Sequence, residues 1–412
     1  MGKYDVVIAG AGIIGLSIAW QLARRSQLRI LVLEKGAGVG EGSTGASSAV
    51  CRCRYSLDDV VTLARDGIHA YRNWPAYTGL SEPRAKLNED GVLWLPGSDT
   101  SWADREHTRM AALGVLTAVL DDQELAERFP SINPCIHGPD FETGEPHACT
   151  GGGRHFLELH GGWVDPVSAA QDLVEACRRQ GVDIRFRAPL AGVDTAAGRV
   201  SGVRLDDGTR YATPLVVNAA GPWCRDLYAA AGVNIAWDLA PVRIQVLHRD
   251  RPPELEGAVP VTVDMEGGVY FRTQNRGLQL LVGSVLEADE REEIGDPDQL
   301  PETVDDEFQM FKMHALHHRL PALPYRGRIM GYCGLYTVNR DDVHPILGPT
   351  RIEGFWVANG FSGHGFKLAP AIGAMVASAI TGERDEFDTG IPMDFLGVGR
   401  QPIALESRSV LA

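Results

Sequence analysis

A glycine-rich turn near the start restricts this chain more than any other stretch. Gly10-Ala11-Gly12-Ile13-Ile14-Gly15 joins two segments of different periodicity. Val6-Val7-Ile8-Ala9 is short, apolar and β-branched except at its last residue, which reads as a buried strand. Residues 13–24 carry helical spacing, with Ile14, Ile18 and Leu22 on one side. Gly10 permits the tight turn, Gly12 lets a pyrophosphate approach the backbone, and Gly15 lets the helix pack closely on the strand, its N-terminus facing the phosphates. A second strand is predicted over 29–33 and ends in Glu34, 19 residues past Gly15. A carboxylate there accepts both ribose hydroxyls and repels a 2′-phosphate, so the pattern selects FAD or NAD over NADP. The plainer alternative is a glycine-rich turn of some other α/β protein; strand, helix, second strand and acid together favour the dinucleotide.

Far along the chain, Gly360-Phe361-Ser362-Gly363-His364-Gly365-Phe366-Lys367 precedes a last helix predicted over 368–380. The two glycine stretches together point to FAD, with one end of the nucleotide held by the first residues and the flavin ring covered by the C-terminal part. Only five basic residues are lysine, at positions 3, 35, 86, 312 and 367, and the remainder are arginine. That bias is read as genomic composition. A positive charge at a helix N-terminus nonetheless opposes the macrodipole, so Lys367 has a reason to be there beyond surface charge.

At 412 residues the chain exceeds one core of ordinary size, so two domains are expected. Its charged fraction of 23% and hydrophobic fraction of 44% are ordinary globular values, and no apolar run reaches membrane-spanning length. Met1-Gly2-Lys3-Tyr4-Asp5 runs directly into the first strand with no visible signal peptide, so a cytoplasmic protein is expected. A net charge of −15 with no basic block argues against nucleic acid or an anionic membrane surface as partner. Seven cysteines, an odd number, read as reduced thiols. Cys51-Arg52-Cys53 projects both sulfurs to one face, but no second pair completes four metal ligands, so no metal site is expected.

The organisation is interleaved. Residues 40–48 form a Gly/Ser/Thr loop, 58–74 a helix, 91–95 a short strand and 101–113 another helix. Asp165-Pro166 opens a helix to 180, with the acid capping free N–H groups. A strand at 182–186 follows, then a hairpin around Asp206-Asp207-Gly208 and an apolar strand, Leu215-Val216-Val217-Asn218-Ala219-Ala220-Gly221, whose small end suits close passage of a cofactor. Residues 240–286 alternate as strands, 287–307 form a loop and helix start, and the stretch after Leu396 lacks an apolar pattern and is expected to be loosely held.

Gly10 to Gly15 with Glu34, Gly42-Ser43-Thr44-Gly45 followed by Arg52 and Tyr55, Ala219-Ala220-Gly221-Pro222-Trp223, and Gly360 to Lys367 together resemble the D-amino-acid oxidase superfamily of flavoproteins. The tail is most similar to the branch of sarcosine oxidase and the sarcosine and dimethylglycine dehydrogenases. The likeness spans nearly the whole chain and is weakest over 85–150. It implies an α/β fold: a Rossmann-like FAD-binding domain (1–84, 156–225, 326–395), an interleaved, mainly antiparallel substrate domain (85–155, 226–325), and a tail at 396–412. For FAD contacts it implies Gly10, Gly12, Ile13, Ile14, Gly15, Glu34, Lys35, Ser43, Thr44, Ser47, Ser48, Leu190, Ala219, Ala220, Gly221, Trp223, Gly363, His364, Gly365, Phe366 and Lys367.

In those relatives an arginine after the Gly-Ser loop and the lysine closing the tail motif bind the substrate carboxylate, and Arg52 and Lys367 match them. A surface ion pair and a helix-start residue are the plainer readings. Tyr336 matches a tyrosine near the substrate, core packing being the alternative. Tyr270 and Arg272, on one face of a strand that walls the substrate cavity in relatives, are second-tier candidates. His364 is a hydrogen-bonding spacer or a proton carrier. Backbone N–H groups at the start of the last helix would stabilise charge on the reduced flavin.

Three departures stand out. The cysteine that links to flavin in monomeric sarcosine oxidase falls on Gly334, with Cys333 turned to the opposite face, so noncovalent FAD is expected. A lysine that promotes reaction with oxygen falls on Gln279, which favours a dehydrogenase. A histidine falls on Gly283, leaving room for a substrate bulkier than sarcosine. The implied reaction is oxidation of the C–N bond of a small anionic amino acid or N-methyl amino acid, giving an imine that water hydrolyses, with oxygen or an electron-carrier protein as acceptor. Like-charge repulsion from Arg52 and Lys367 would lower the ammonium pKa without a strong base. Two other readings stand beside it: a 2-hydroxy-acid or polyol dehydrogenase, and a noncatalytic FAD-bearing subunit or assembly factor. A homo-oligomer or a place within a larger complex is open to each.

Overall fold

Short β-branched runs with no polar face form central strands. In the computed structural model, which describes residues 2–145, 151–405 and 408–411, Val6–Ala9 and Ile30–Leu33 are buried throughout. They lie in a six-stranded sheet of spatial order Ile346–Pro349, Phe355–Asn359, Val216–Asn218, Val6–Ala9, Ile30–Leu33, Asp183–Arg185. All its pairings are parallel except that of the edge strand Ile346–Pro349. Helices Ile13–Arg25, Pro166–Arg179 and Gly365–Thr381 cover one face, and a four-stranded sheet that includes Leu190–Ala196 and Arg199–Leu205 packs on the other. Asp165 accepts the Ser168 N–H at 2.8 Å and Pro166 occupies the first turn, as predicted.

A second sheet has eight strands: Ile329–Asn339, Leu239–Asp250, Gln279–Ser284, Val269–Gln274, Val261–Asp264, Val92–Leu95, Arg154–Glu158 and Thr117–Asp121. One junction, Val261–Asp264 with Val92–Leu95, is parallel and the rest are antiparallel. Helix Asp306–Arg319 lies against it through Phe308, Met313 and Leu316. At its end Arg319 forks onto Asp264 at 2.7 and 2.8 Å, both side chains fully buried.

Three local expectations change. The helix predicted over 58–74 ends at Arg72 and restarts as Trp74–Thr78, because Pro75 has no N–H to continue the ladder. The last helix begins at Gly365, three residues early, and runs through Pro370 unbroken. Pro370 leaves the Phe366 carbonyl without its helical donor, and the buried Tyr71 hydroxyl supplies one at 2.8 Å. The stretch after Leu396 is not loosely held. Arg400 pairs with the buried Asp342, Ile403 N–H donates to Asp342 at 2.9 Å, and Val410 reaches into the interior. Polar contacts, invisible to an apolar pattern, hold it down. Residues 146–150 of the segment 85–155, and 406, 407 and 412 of the tail, lie outside the described residues. Among the described residues no helix is long and apolar enough to cross a membrane.

Candidate active site

The C-terminal ends of the parallel strands open onto a cavity of about 590 Å³, the place where open α/β sheets hold nucleotides. Its floor is the glycine turn. Gly10 has φ +103°, and a Cβ there would lie 2.5 Å from the Ala219 carbonyl oxygen; at Gly15 it would meet the Gly10 oxygen at 2.0 Å. Glu34 accepts the Ala11 and Gly36 N–H groups, each at 2.8 Å, so its carboxylate is aimed at the turn. Thr44 Oγ1 accepts the Ile13 N–H at 3.0 Å, tying the Gly/Ser loop to the first helix. Ser43 Oγ is buried with no protein partner. Gly12, Ile14, Ser47, Leu190, Ala220 and Gly221 also line the cavity. Ser48 instead gives its carbonyl to Arg272 Nε at 2.8 Å. At the rim, Lys35 pairs with Asp298 and lies 4.3 Å from the Trp223 ring centroid, and Trp223 Nε1 donates to the same Asp298 oxygen at 2.9 Å.

The other end is closed by the tail motif. Gly363, at φ +82°, lies under Tyr336, whose ring would be 2.6 Å from a Cβ there. Gly365 and Phe366 line the cavity at the start of the last helix, whose first N–H groups receive no side-chain cap. Such a helix start presents free donors to negative charge.

Beside this end two buried cations meet on one ring. The guanidinium carbon of Arg52 is 4.2 Å, and Lys367 Nζ 5.8 Å, from the ring centroid of the fully buried Tyr55. Arg52 donates to the carbonyls of Arg54 and Val410, and Lys367 to that of Gly363 at 3.5 Å. Burial, then Arg52, pull the Lys367 ammonium down to about 7. Glu158 orders the segment that carries Arg52: wholly buried, it accepts N–H groups of Cys53, of Arg54 at 3.2 Å and of the Trp94 indole at 2.9 Å. Burial pushes the Cys51 thiol up to about 12, so it stays protonated. Among the described residues no cluster of histidine, cysteine and carboxylates could hold a metal.

His364 is fully buried and turned to the protein, its Nε2 3.1 Å from the Val410 carbonyl, which can only accept; burial and the adjacent Lys367 hold the ring neutral. Tyr270 and Arg272 stand two residues apart on the strand Val269–Gln274 and interact electrostatically. Arg272 is tied to the Ser48 and Thr273 carbonyls and stacked 4.3 Å from the Trp163 ring centroid, and burial lowers it to about 10.

Residues 5–379 match the family described as DAO, FAD dependent oxidoreductase. The chain belongs to that family. FAD-dependent oxidoreductase domain-containing protein 1 of Bos taurus is 29% identical over 92% of this chain and 81% of its own length. Human mitochondrial dimethylglycine dehydrogenase is 24% identical over 94% of this chain but only 43% of its own length. The fold also matches an L-proline dehydrogenase from P. horikoshii, with a TM-score of 0.81, 23% identity, and coverage of 96% and 97% of the two chains.

FAD, the cofactor of the DAO family, fits the donors and acceptors present: a turn whose Gly10 and Gly15 leave no room for a side chain, an unpartnered Ser43 hydroxyl, the Glu34 carboxylate and an uncapped helix start. One family departure takes a new meaning. A Cβ at Gly283 would fall 2.4 Å from the Tyr270 ring, so the space expected to admit a bulkier substrate is filled by that phenol. Gln279 bonds Gln274 at 3.3 Å and Asp250 at 3.4 Å at the end of its hairpin. Cys333 Sγ points at the Thr303 carbonyl, while Gly334 faces Ala46 of the Gly/Ser loop. Sequence reading missed Glu158 and Glu290. A lone glutamate in a strand or an acidic loop carries no local signal, and only the folded chain brings each within electrostatic reach of Arg52.

Proposed function

We propose that this chain oxidises the carbon–nitrogen bond of a small amino acid or N-methyl amino acid, giving an imine that water hydrolyses. The observation that carries this reading is the convergence of Arg52 and Lys367 on the Tyr55 ring beside the cavity. A planar fork and a point charge, both removed from water, suit a carboxylate. The substrates named for human dimethylglycine dehydrogenase and the P. horikoshii enzyme are amino acids.

Bound FAD supplies the two-electron acceptor. The protein's part is orientation: Arg52 and Lys367 hold the carboxylate, while Tyr270, filling the space at Gly283, and Tyr336 over Gly363 confine the rest of the molecule. That confinement favours a small side chain. The same cations disfavour an ammonium, so the neutral amine forms without a dedicated strong base. FAD is held noncovalently, since the Cys333 thiol is turned to Thr303. Without a lysine at Gln279, a carrier protein is favoured over oxygen as acceptor.

The test is anaerobic mixing of the yellow protein with N-methyl, D- and L-amino acids. Bleaching by members of this panel, with slow return of colour in air, is expected. Arg52→Ala and Lys367→Ala should retain FAD and lose at least about a hundredfold in the reduction rate, the order expected when orienting contacts are removed. Unchanged rates in both would remove the carboxylate assignment.

A further inference from the structure

Val410 is held in the manner of a small amino acid. Its N–H donates to Glu290 Oε2 at 3.1 Å, and its carbonyl accepts from Arg52 Nη2 and lies 3.1 Å from His364 Nε2. The next carbonyl, of Leu411, accepts from Arg54 at 3.0 Å. A residue within a chain and a free α-amino acid share the unit N–Cα–C=O. Groups that grip one residue's N–H and carbonyl oxygen at once are therefore spaced for the nitrogen and carboxylate of the other.

We infer that Glu290 is the group that reads the substrate's nitrogen: the carboxylate of a small α-amino acid takes the place of the Val410 carbonyl on Arg52, and its N–H donates to Glu290. This inference rests on the proposed amino-acid reading of the site. The two occupants exclude each other, so the Val410 segment must withdraw when substrate enters.

The surroundings agree. Glu290 ends a short 3-10 turn, Glu287–Glu290, whose Asp289 is fixed by Ser284 and by the buried Lys312 at 2.8 Å, and Lys312 is anchored on the Gly268 carbonyl at 3.1 Å. The acid is thus placed by the end of the strand that carries Gly283, against which Tyr270 leans. Glu290 lies close enough to Arg52, Tyr270 and Tyr336 to act on each electrostatically. Burial pushes the carboxyl of the half-buried Glu290 up to about 8, so near neutral pH it is mostly protonated and its carbonyl oxygen still accepts an N–H. Neighbouring Glu287 is exposed, and Asp289 is turned to Lys312.

The experiment compares ligands with and without a nitrogen on the FAD-loaded protein, using flavin spectral shifts under anaerobic conditions. Glycine and sarcosine carry carboxylate and amine; propionate carries the carboxylate alone. At pH 7, below the titration of Glu290, Glu290→Ala should weaken glycine and sarcosine at least tenfold and change propionate less than twofold, with Glu290→Gln intermediate because its amide oxygen still accepts. Equal losses for all three ligands, or no loss for the amino acids, would overturn the inference. Should Glu290→Ala fail to retain FAD, the isosteric Glu290→Gln decides: amino-acid affinity within twofold of the unaltered protein, with propionate unchanged, sinks it. If the unaltered protein binds glycine in a Glu290-dependent way yet no amino acid bleaches it, the oxidation reading falls and the Glu290 assignment stands. Bleaching that is indifferent to Glu290 gives the reverse.

Discussion

Lys367 illustrates how burial turns a residue into a titrating group. Its ammonium, lowered to about 7 by burial and then by Arg52, is charged below that pH and neutral above it. A bound carboxylate favours the charged form, so the affinity for propionate should be steady below pH 7 and fall by up to about tenfold per unit above it, as expected for one linked proton. Glu290, which loses its proton near 8, adds a repulsion of the same sign. Lys367→Met should abolish the step near 7 and leave the smaller one near 8. A flavin-perturbation titration between pH 6 and 9 that shows no step at 7 in the unaltered protein would contradict this. At this scale the sequence was partly legible. Motifs picked out Arg52, Lys367 and Tyr336 because their neighbours are distinctive, whereas the meaning of Gly283 depended on Tyr270, a residue on the adjacent strand.

Among elements, the start of the last helix carries most of the site, and close backbone approach puts it in place. A Cβ on Gly67, in helix Asp58–Arg72, would lie 2.2 Å from the Lys367 carbonyl oxygen. Elsewhere in a helix Gly→Ala is favourable by up to about 1 kcal/mol. Here the collision decides the sign. Gly67→Ala should destabilise by about 1–3 kcal/mol, the usual cost of overpacking, and should weaken propionate binding by shifting Lys367. A raised Tm with unchanged binding would refute the close-approach argument. Helix periodicity identified these elements well before their ends, which depended on chemistry outside the pattern. Pro75 broke one helix, while Pro370 left another intact because Tyr71 serves the Phe366 carbonyl.

Across the whole molecule, the FAD cavity draws on the first strand and helix, the Gly/Ser loop, the residues just after the Val216–Asn218 strand and the tail motif, so one ligand ties together segments far apart in the chain. FAD should therefore raise Tm, with a stabilisation of about 4 kcal/mol at a thousandfold excess over Kd. Calorimetry with and without FAD checks this, and acid precipitation should leave the yellow colour in the supernatant. A coloured pellet would mean covalent attachment. What the sequence by itself determined is local: a strand–turn–helix whose glycines admit a nucleotide, an acid at the next strand end, and a tail motif carrying one lysine. These follow from backbone dihedral limits and side-chain period, which act between neighbouring residues. Tertiary structure alone decided that Arg52 and Lys367 share the Tyr55 ring, that Tyr270 fills the space at Gly283, and that Glu290 and Arg52 grip the two ends of Val410. Those meetings depend on how separately folded surfaces fit, and nothing within a few residues of each encodes its partner.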